Sequence, residues 1–355
     1  MPRPNNITLS DVARETGVSK VTASHILNAR SGGTSTVRVS ENTRTRVLAA
    51  ARAMGYRPNA LARGLARRRT DTITLVMQSP AVFSGGSGFV SEMMHGVVQA
   101  ANGAGFDLML HTKAQPDTEA DLRALLDGRS DGALVLRDCD DPVIAGLAER
   151  SHPLMLIFSR GGQAAPQAPF VDVDNVRGGQ IATEYLLSLG HRRIAFLSGS
   201  PASAAVVDRR VGYGLALENA GLPVPPPASD PRMNYAGAAP DALIDLMRQP
   251  ASLRPTAIFA WSDDVALRAI NVLRTECGLC VPDHVSVVGF DGTEALCERS
   301  SPRLTSICQP IKEIAARAVV LLAAQINQSV EDYPQELFTP VLVVRDSCAP
   351  IKADM

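Results

Sequence analysis

The chain lacks the short motifs that mark the commonest enzyme classes. There is no G-x-S-x-G nucleophile elbow, no G-x-x-x-x-G-K-[ST] phosphate loop, no H-E-x-x-H pair and no strand-linked G-x-G-x-x-G. No catalytic activity, cofactor or metal is therefore expected. Cysteine is scarce, six in 355 residues, which fits a reducing compartment better than a disulfide framework. Cys277-Gly278-Leu279-Cys280 has C-x-x-C spacing, but without a second pair or a histidine cluster it reads as a helix end and its glycine stop. No apolar run approaches the ~20 residues that span a membrane. The N-terminus is polar and basic, with no apolar stretch of roughly 7–15 residues behind it, so a cytoplasmic protein is expected rather than a secreted one.

What the chain does have is a division of charge. Residues 1–70 carry 13 Lys+Arg against 3 Asp+Glu, a net +10, while the remainder carries 22 against 33, a net −11. A compact basic segment attracts phosphate and releases counterions, and an acidic body is repelled by DNA. Charge runs are more often solvated faces than binding sites, so the pattern within the segment has to decide.

Residues 8–28 read as two short helices around a tight turn. Leu9, Val12 and Ala13 form an apolar stripe at i, i+3, i+4. Thr8 or Ser10 can cap the first helix, and Gly17 can stop it. Ser19 caps a second helix with inner face Thr22, Ala23, Ile26 and Leu27. A third helix with Val47, Leu48, Ala51 and Met54 follows a cap at Ser40. In such a helix-turn-helix unit, the second helix enters the major groove with its N-terminal side chains at base edges.

After this come Tyr56-Arg57-Pro58-Asn59-Ala60-Leu61-Ala62-Arg63-Gly64-Leu65 and the arginines 67–69. With the L-x-D-V-A-x-x-x-G-V-S-x-x-T-x-S-x-x-L-N run before them, they give the chain a close resemblance to the lactose-repressor (LacI/GalR) family of bacterial transcription regulators. The resemblance implies a homodimer, or a dimer of dimers, on a pseudo-palindromic double-stranded operator, with affinity controlled by a small effector. It also implies residue roles. Lys20 and Val21 would select the operator, Thr22 and Ser24 would touch backbone or bases, and His25 would read a guanine. Thr8, Ser19, Asn28, Tyr56, Asn59 and Arg63 would complete the DNA surface, and Leu65 would wedge into the minor groove. Two departures stand out. Residues 29–38 form a longer loop than the family commonly has, and Gly64 falls within the hinge helix, at a cost of roughly 1 kcal/mol relative to alanine.

From Asp71 onward, apolar runs alternate with helical stretches. Runs at 73–77, 106–110, 132–136 and 154–158 form one series, and those at 194–197, 257–260 and 285–290 a second. Continuous apolar strands between helices indicate parallel sheets covered on both faces. The expected fold is an α helix-turn-helix head joined to an α/β body, two-lobed and similar to periplasmic sugar-binding proteins. The expected boundaries are 1–56 for the head, 57–70 for the hinge and 71–355 for the body. Within the body, the first lobe takes about 71–170 and 309–335, and the second about 171–308 and 336–346. A long helix over 310–326 should return to the first lobe and one strand over 337–344 should cross back.

Ligands of open α/β sheets bind beyond the carboxyl ends of strands. Arg209 fits the family's R-x-x-G arginine and Asp291 its carboxylate after V-G-F; together they can donate to and accept from the hydroxyls of a sugar. Phe89, Tyr235 and Trp261 can supply apolar faces, and Ser262 stands where the family often has asparagine. Asp263 reads as the cap of the next helix. Gly292 and Ser87-Gly88-Phe89-Val90 depart from the family pattern, so the effector's identity does not carry over. The expectation is a sugar-switched repressor of carbohydrate-related genes. Its alternatives are a corepressor-dependent regulator with a non-sugar ligand, a ligand-binding module with a vestigial head, and a sugar-processing enzyme.

Overall fold

The structure, a computed structural model, describes residues 7–28, 39–57, 64, 67, 69–77, 88–112, 117–199, 201, 203–228, 240–328 and 334–351. It divides into two compact units, Met1–Thr70 and Asp71–Met355.

The head holds α1 (Leu9–Thr16), α2 (Lys20–Asn28) and α3 (Glu41–Ala53). Thr8 opens α1 with a reciprocal capping box: its hydroxyl accepts from the Asp11 N–H, and the Asp11 carboxylate accepts from the Thr8 N–H at 3.0 Å. Gly17 ends α1 in the left-handed region at φ 63°, a conformation that costs glycine no steric strain. Ser40 caps α3 by accepting from the Thr43 N–H at 3.2 Å. Beneath these caps, Val12, Ala13, Ala23, Ile26, Val47 and Ala51 form a small buried core.

In the body, strands β1 (Thr72–Met77), β2 (Asp107–His111), β3 (Gly132–Leu136), β4 (Leu154–Ile157), β5 (Phe170–Val173) and β10 (Gln335–Phe338) make a six-stranded parallel sheet, ordered β10-β5-β4-β3-β1-β2. Strands β6 (Ile194–Leu197), β7 (Ala257–Ala260), β8 (Ser286–Asp291), β9 (Thr305–Cys308) and β11 (Val341–Val343) make the second sheet, ordered β11-β9-β8-β7-β6 and parallel except for β11. Helix Ile311–Ile326 packs against helix Gly88–Ala104 and strands of the first sheet.

The expected lobe boundaries shift. Strand β10 pairs with β5 at the edge of the first sheet, so residues 335–338 belong to the first lobe, and only β11 joins the second. The single strand expected over 337–344 is two strands in two sheets, because Thr339-Pro340 interrupts it and proline has no N–H for a ladder. Strand β5 extends the first lobe to Val173.

Candidate functional site

On the head, the face expected to read DNA is presented by α2. The Ser19 hydroxyl accepts from the Thr22 N–H at 3.0 Å and lies 2.8 Å from the Thr22 hydroxyl, which fixes the start of the helix. Ala23 and Ile26 anchor its inner side, leaving Thr8, Ser19, Lys20 and Val21 exposed and Thr22, Ser24 and His25 half-buried. Val21 is 74% exposed, the highest value among the large apolar side chains described. An isolated valine in that position suits contact with a thymine methyl in the major groove. Asn28 closes the helix. Tyr56, grouped with the DNA contacts from sequence, is half-buried and packs at the rim of the head core. Asn59, Arg63 and Leu65, and the loop 29–38, lie outside the described residues.

In the body, Trp261, Asp291 and Gln309 sit at the carboxyl ends of the adjacent strands β7, β8 and β9. Arg209 reaches them from helix Ala204–Asn219. Its backbone carbonyl lies so close to Gly179 that a side chain there would collide with it, and Gly212 lies equally close to the Val176 carbonyl. These glycines let helices Asn175–Ser188 and Ala204–Asn219 approach until Arg209 is only 3% exposed. Its Nε donates to Asn175 Oδ1 at 2.8 Å, another guanidinium nitrogen donates to the Trp261 carbonyl, and its Cζ stands 3.5 Å from the Phe290 ring centre. Asp291 Oδ1 lies 3.7 Å from the guanidinium and accepts from Gln309 Nε2 at 2.8 Å.

The electrostatics are those of a dry site. Burial pushes the Asp291 carboxyl well above the usual carboxylate range, against the pull of Arg209, and Asp263 adds to the rise. Burial also pulls the Arg209 pKa down, against Asp291 and Asp172. Asp291 adopts φ 116°, a conformation that side chains rarely take and that is found concentrated at functional positions. Two polar atoms here, Trp261 Nε1 and Gln309 Oε1, are buried without a hydrogen-bond partner among the described residues. Buried polar groups are normally satisfied, so this pair points to a ligand or solvent contact.

The remaining expected residues divide. Phe89 packs edge-on against Phe158, with ring centres 4.8 Å apart. The Ser262 hydroxyl caps helix Asp263–Thr275 by accepting from the Val265 N–H at 3.3 Å. The cap is therefore Ser262, not Asp263 as expected. Asp263 instead accepts from the Ser306 hydroxyl at 2.6 Å and the Thr293 N–H at 2.9 Å, and burial pushes its pKa up to about 6. Tyr235 lies outside the described residues.

A cavity of about 580 Å³ opens between the lobes, lined by Cys139, Asp140 and Arg160 from the first and by Ala204, Val207 and Asp208 from the second. None of Phe89, Arg209, Trp261, Ser262 and Asp291 lines it, although Asp208 is next to Arg209 in the chain. Asn175, Asp208 and Gln309 are given no role by the sequence. Their partners are distant in sequence, and no short motif states which residues pair.

Residues 8–59 match the family described as bacterial regulatory proteins, lacI family, and residues 183–348 match the periplasmic binding protein-like domain. The HTH-type transcriptional repressor PurR of Photobacterium profundum is 32% identical over 348 residues, 96% of this chain and 98% of the relative. A solved complex of the transcriptional regulator CelR with cellobiose is 31% identical, covers 96% of this chain and 99% of its own, and superposes with a TM-score of 0.69. A lac repressor dimer bound to operator and the anti-inducer ONPF is 26% identical over 97% of this chain and 100% of its own, with a TM-score of 0.78. These relatives are regulators rather than enzymes. With a helix-turn-helix head, two largely parallel α/β lobes and end-to-end relatives of this identity, the chain belongs to the lacI family of DNA-binding transcriptional regulators.

Proposed function

We propose that the chain is a cytoplasmic, homodimeric repressor of carbohydrate-related genes, released or recruited by a sugar or sugar derivative bound between its lobes. The observation that carries this reading is the buried Arg209–Asp291 pair at the carboxyl end of β8, flanked at the ends of β7 and β9 by Trp261 Nε1 and Gln309 Oε1, which have no partner among the described residues. Fixed donors and acceptors beside aromatic faces suit neighbouring hydroxyls on an apolar ring. The cellobiose complex of a relative supports the same ligand class, and the operator-bound dimer of another supports a paired assembly. Residues 57–70 act as the hinge, with Leu65 as the groove wedge.

A ligand shifts a lobe equilibrium only by binding one arrangement better than the other. The lobe angle would set the separation of the two hinges, and with it the fit to operator. The test is selection of binding sites from random DNA, followed by operator titrations against a panel of mono- and disaccharides. A sugar that changes operator affinity in wild type and has no effect in Arg209→Ala supports the reading. Equal responses in both place the ligand site elsewhere. Loss of operator affinity in Leu65→Ala, with sugar binding kept, supports the hinge assignment.

A further inference from the structure

Arg160 follows β4 in the first lobe, yet its guanidinium pairs at 2.9 Å with Asp208, on helix Ala204–Asn219 of the second. The same side chain stands 3.8 Å from Asp172 in β5 and 5.5 Å from the Phe170 ring centre. Asp172 is wholly buried and accepts from Asn175 Nδ2 at 3.1 Å. Asn175 in turn accepts from Arg209 Nε at 2.8 Å, and Arg209 faces Asp291. A continuous polar chain thus runs Asp208–Arg160–Asp172–Asn175–Arg209–Asp291, from the wall of the 580 Å³ cavity to the buried pair. Gly88 makes a second cross-lobe contact. A Cβ there would collide with the Thr293 side chain and meet Leu296 at 3.0 Å.

We propose that Arg160 is a positioning residue for the effector response: it clasps the two lobes through Asp208 and orients Arg209 through Asp172 and Asn175. One guanidinium then couples the angle between the lobes to the state of the buried pair. A ligand that redirects Arg209 loosens the clasp, and opening of the clasp redirects Arg209, because coupling between two sites is reciprocal. Gly88 keeps the clasped arrangement sterically open at another lobe–lobe contact. The coupling to DNA rests on the proposed function; the clasp itself does not.

The test uses the full chain, with spin labels carried by genetically encoded amino acids at the exposed positions Arg123 and Ser252, one on each lobe. Pulsed dipolar spectroscopy then reads the lobe–lobe distance. Arg160→Met should shift or broaden the distribution, Asp208→Asn should do the same, and the double variant should go no further than either single one. Arg160→Lys should restore most of the wild-type distribution, a rescue that mere loss of packing would not give. Gly88→Ala should move the distribution in the same direction through steric contact alone, and it serves as the second probe if an Arg160 variant fails to fold. Unchanged distributions in both Arg160→Met and Asp208→Asn overturn the clasp. Operator affinity, measured on the same variants with DNA selected for wild type, should change at least fivefold with the distance. A changed distance with unchanged affinity upholds the clasp and overturns only the coupling of lobe angle to DNA.

Discussion

On the head, the side chains that would meet DNA stand outside a core of six small residues, and Val21 and Lys20 have little structure to support. In the body, Arg209, Asp291 and Gln309 are nearly inaccessible and held by one another. The head can therefore change what it reads at little cost in stability, because substitutions on an exposed helix face usually cost within about 0.5 kcal/mol. The body cannot if Arg209 and Asp291 hold the ligand as proposed, since both are also buried charged groups that must be matched. Under the proposed function, specificity for DNA is free to vary and specificity for ligand is tied to folding.

The largest expected effect breaks or upholds that contrast directly. Arg209→Ala strips Asn175 of its donor and Asp291 of its ion-pair partner, and loss of one partner of a buried pair costs about 3–5 kcal/mol. Urea unfolding of the body should show that loss, whereas Lys20→Ala should leave the same transition within about 0.5 kcal/mol of wild type. Equal midpoints for the two variants would erase the distinction between the regions.

The same contrast governs what could be read from sequence. The head was legible because its determinants are local: Thr8 and Asp11, Ser19 and Thr22, and Ser40 and Thr43 are each three residues apart. In the body, Arg209 and Asp291 are visible through motifs, but which residues they pair with is not. Asn175 is 34 residues from Arg209 and Gln309 is 18 from Asp291. Strands β5 and β9 went unrecognised for a related reason. Phe170-Val171-Asp172-Val173 places a buried carboxylate mid-strand, and Thr305-Ser306-Ile307-Cys308 is half hydroxyl. Both are four residues long and take their stability from neighbours rather than from an apolar run.

Asp172 offers a second test, through pH. Burial pushes its pKa up to about 7 from 3.8, so the folded state holds a proton that the unfolded chain releases near pH 4. Stability from this group is fully present below about pH 4 and is lost as pH rises to about 7. Three pH units correspond to about 4 kcal/mol at most. Asp172→Asn keeps one oxygen, for either the Val173 N–H or Asn175 Nδ2, removes the titrating group, and should flatten the stability profile between pH 4 and 7. An unchanged slope in urea unfolding across that range would show that another group dominates.

A smaller effect is expected at the reading face. Exchanging Lys20 and Val21 should redirect operator choice, with each mismatched base pair costing about 1–3 kcal/mol, while the unfolding midpoint of the head stays put. Sites selected from random DNA by the double variant should differ from those of wild type. An identical consensus would move base recognition away from the start of α2.

The smallest effect separates structure from recognition at one hydroxyl. Ser19 caps α2 through Thr22 N–H and also stands exposed where DNA contact is expected. Ser19→Ala should cost about 1 kcal/mol of head stability, with weaker operator binding that could come from either role. Ser19→Asp divides the two. Aspartate caps as well as serine and adds a charge favourable at a helix N-terminus, so thermal unfolding of the head should be at or above the wild-type midpoint. The same charge beside a phosphate is repulsive, so operator affinity should fall, and fall more steeply at low salt where screening is weakest. Wild-type affinity in the aspartate variant would leave Ser19 as a cap alone and turn this edge of α2 away from the DNA backbone.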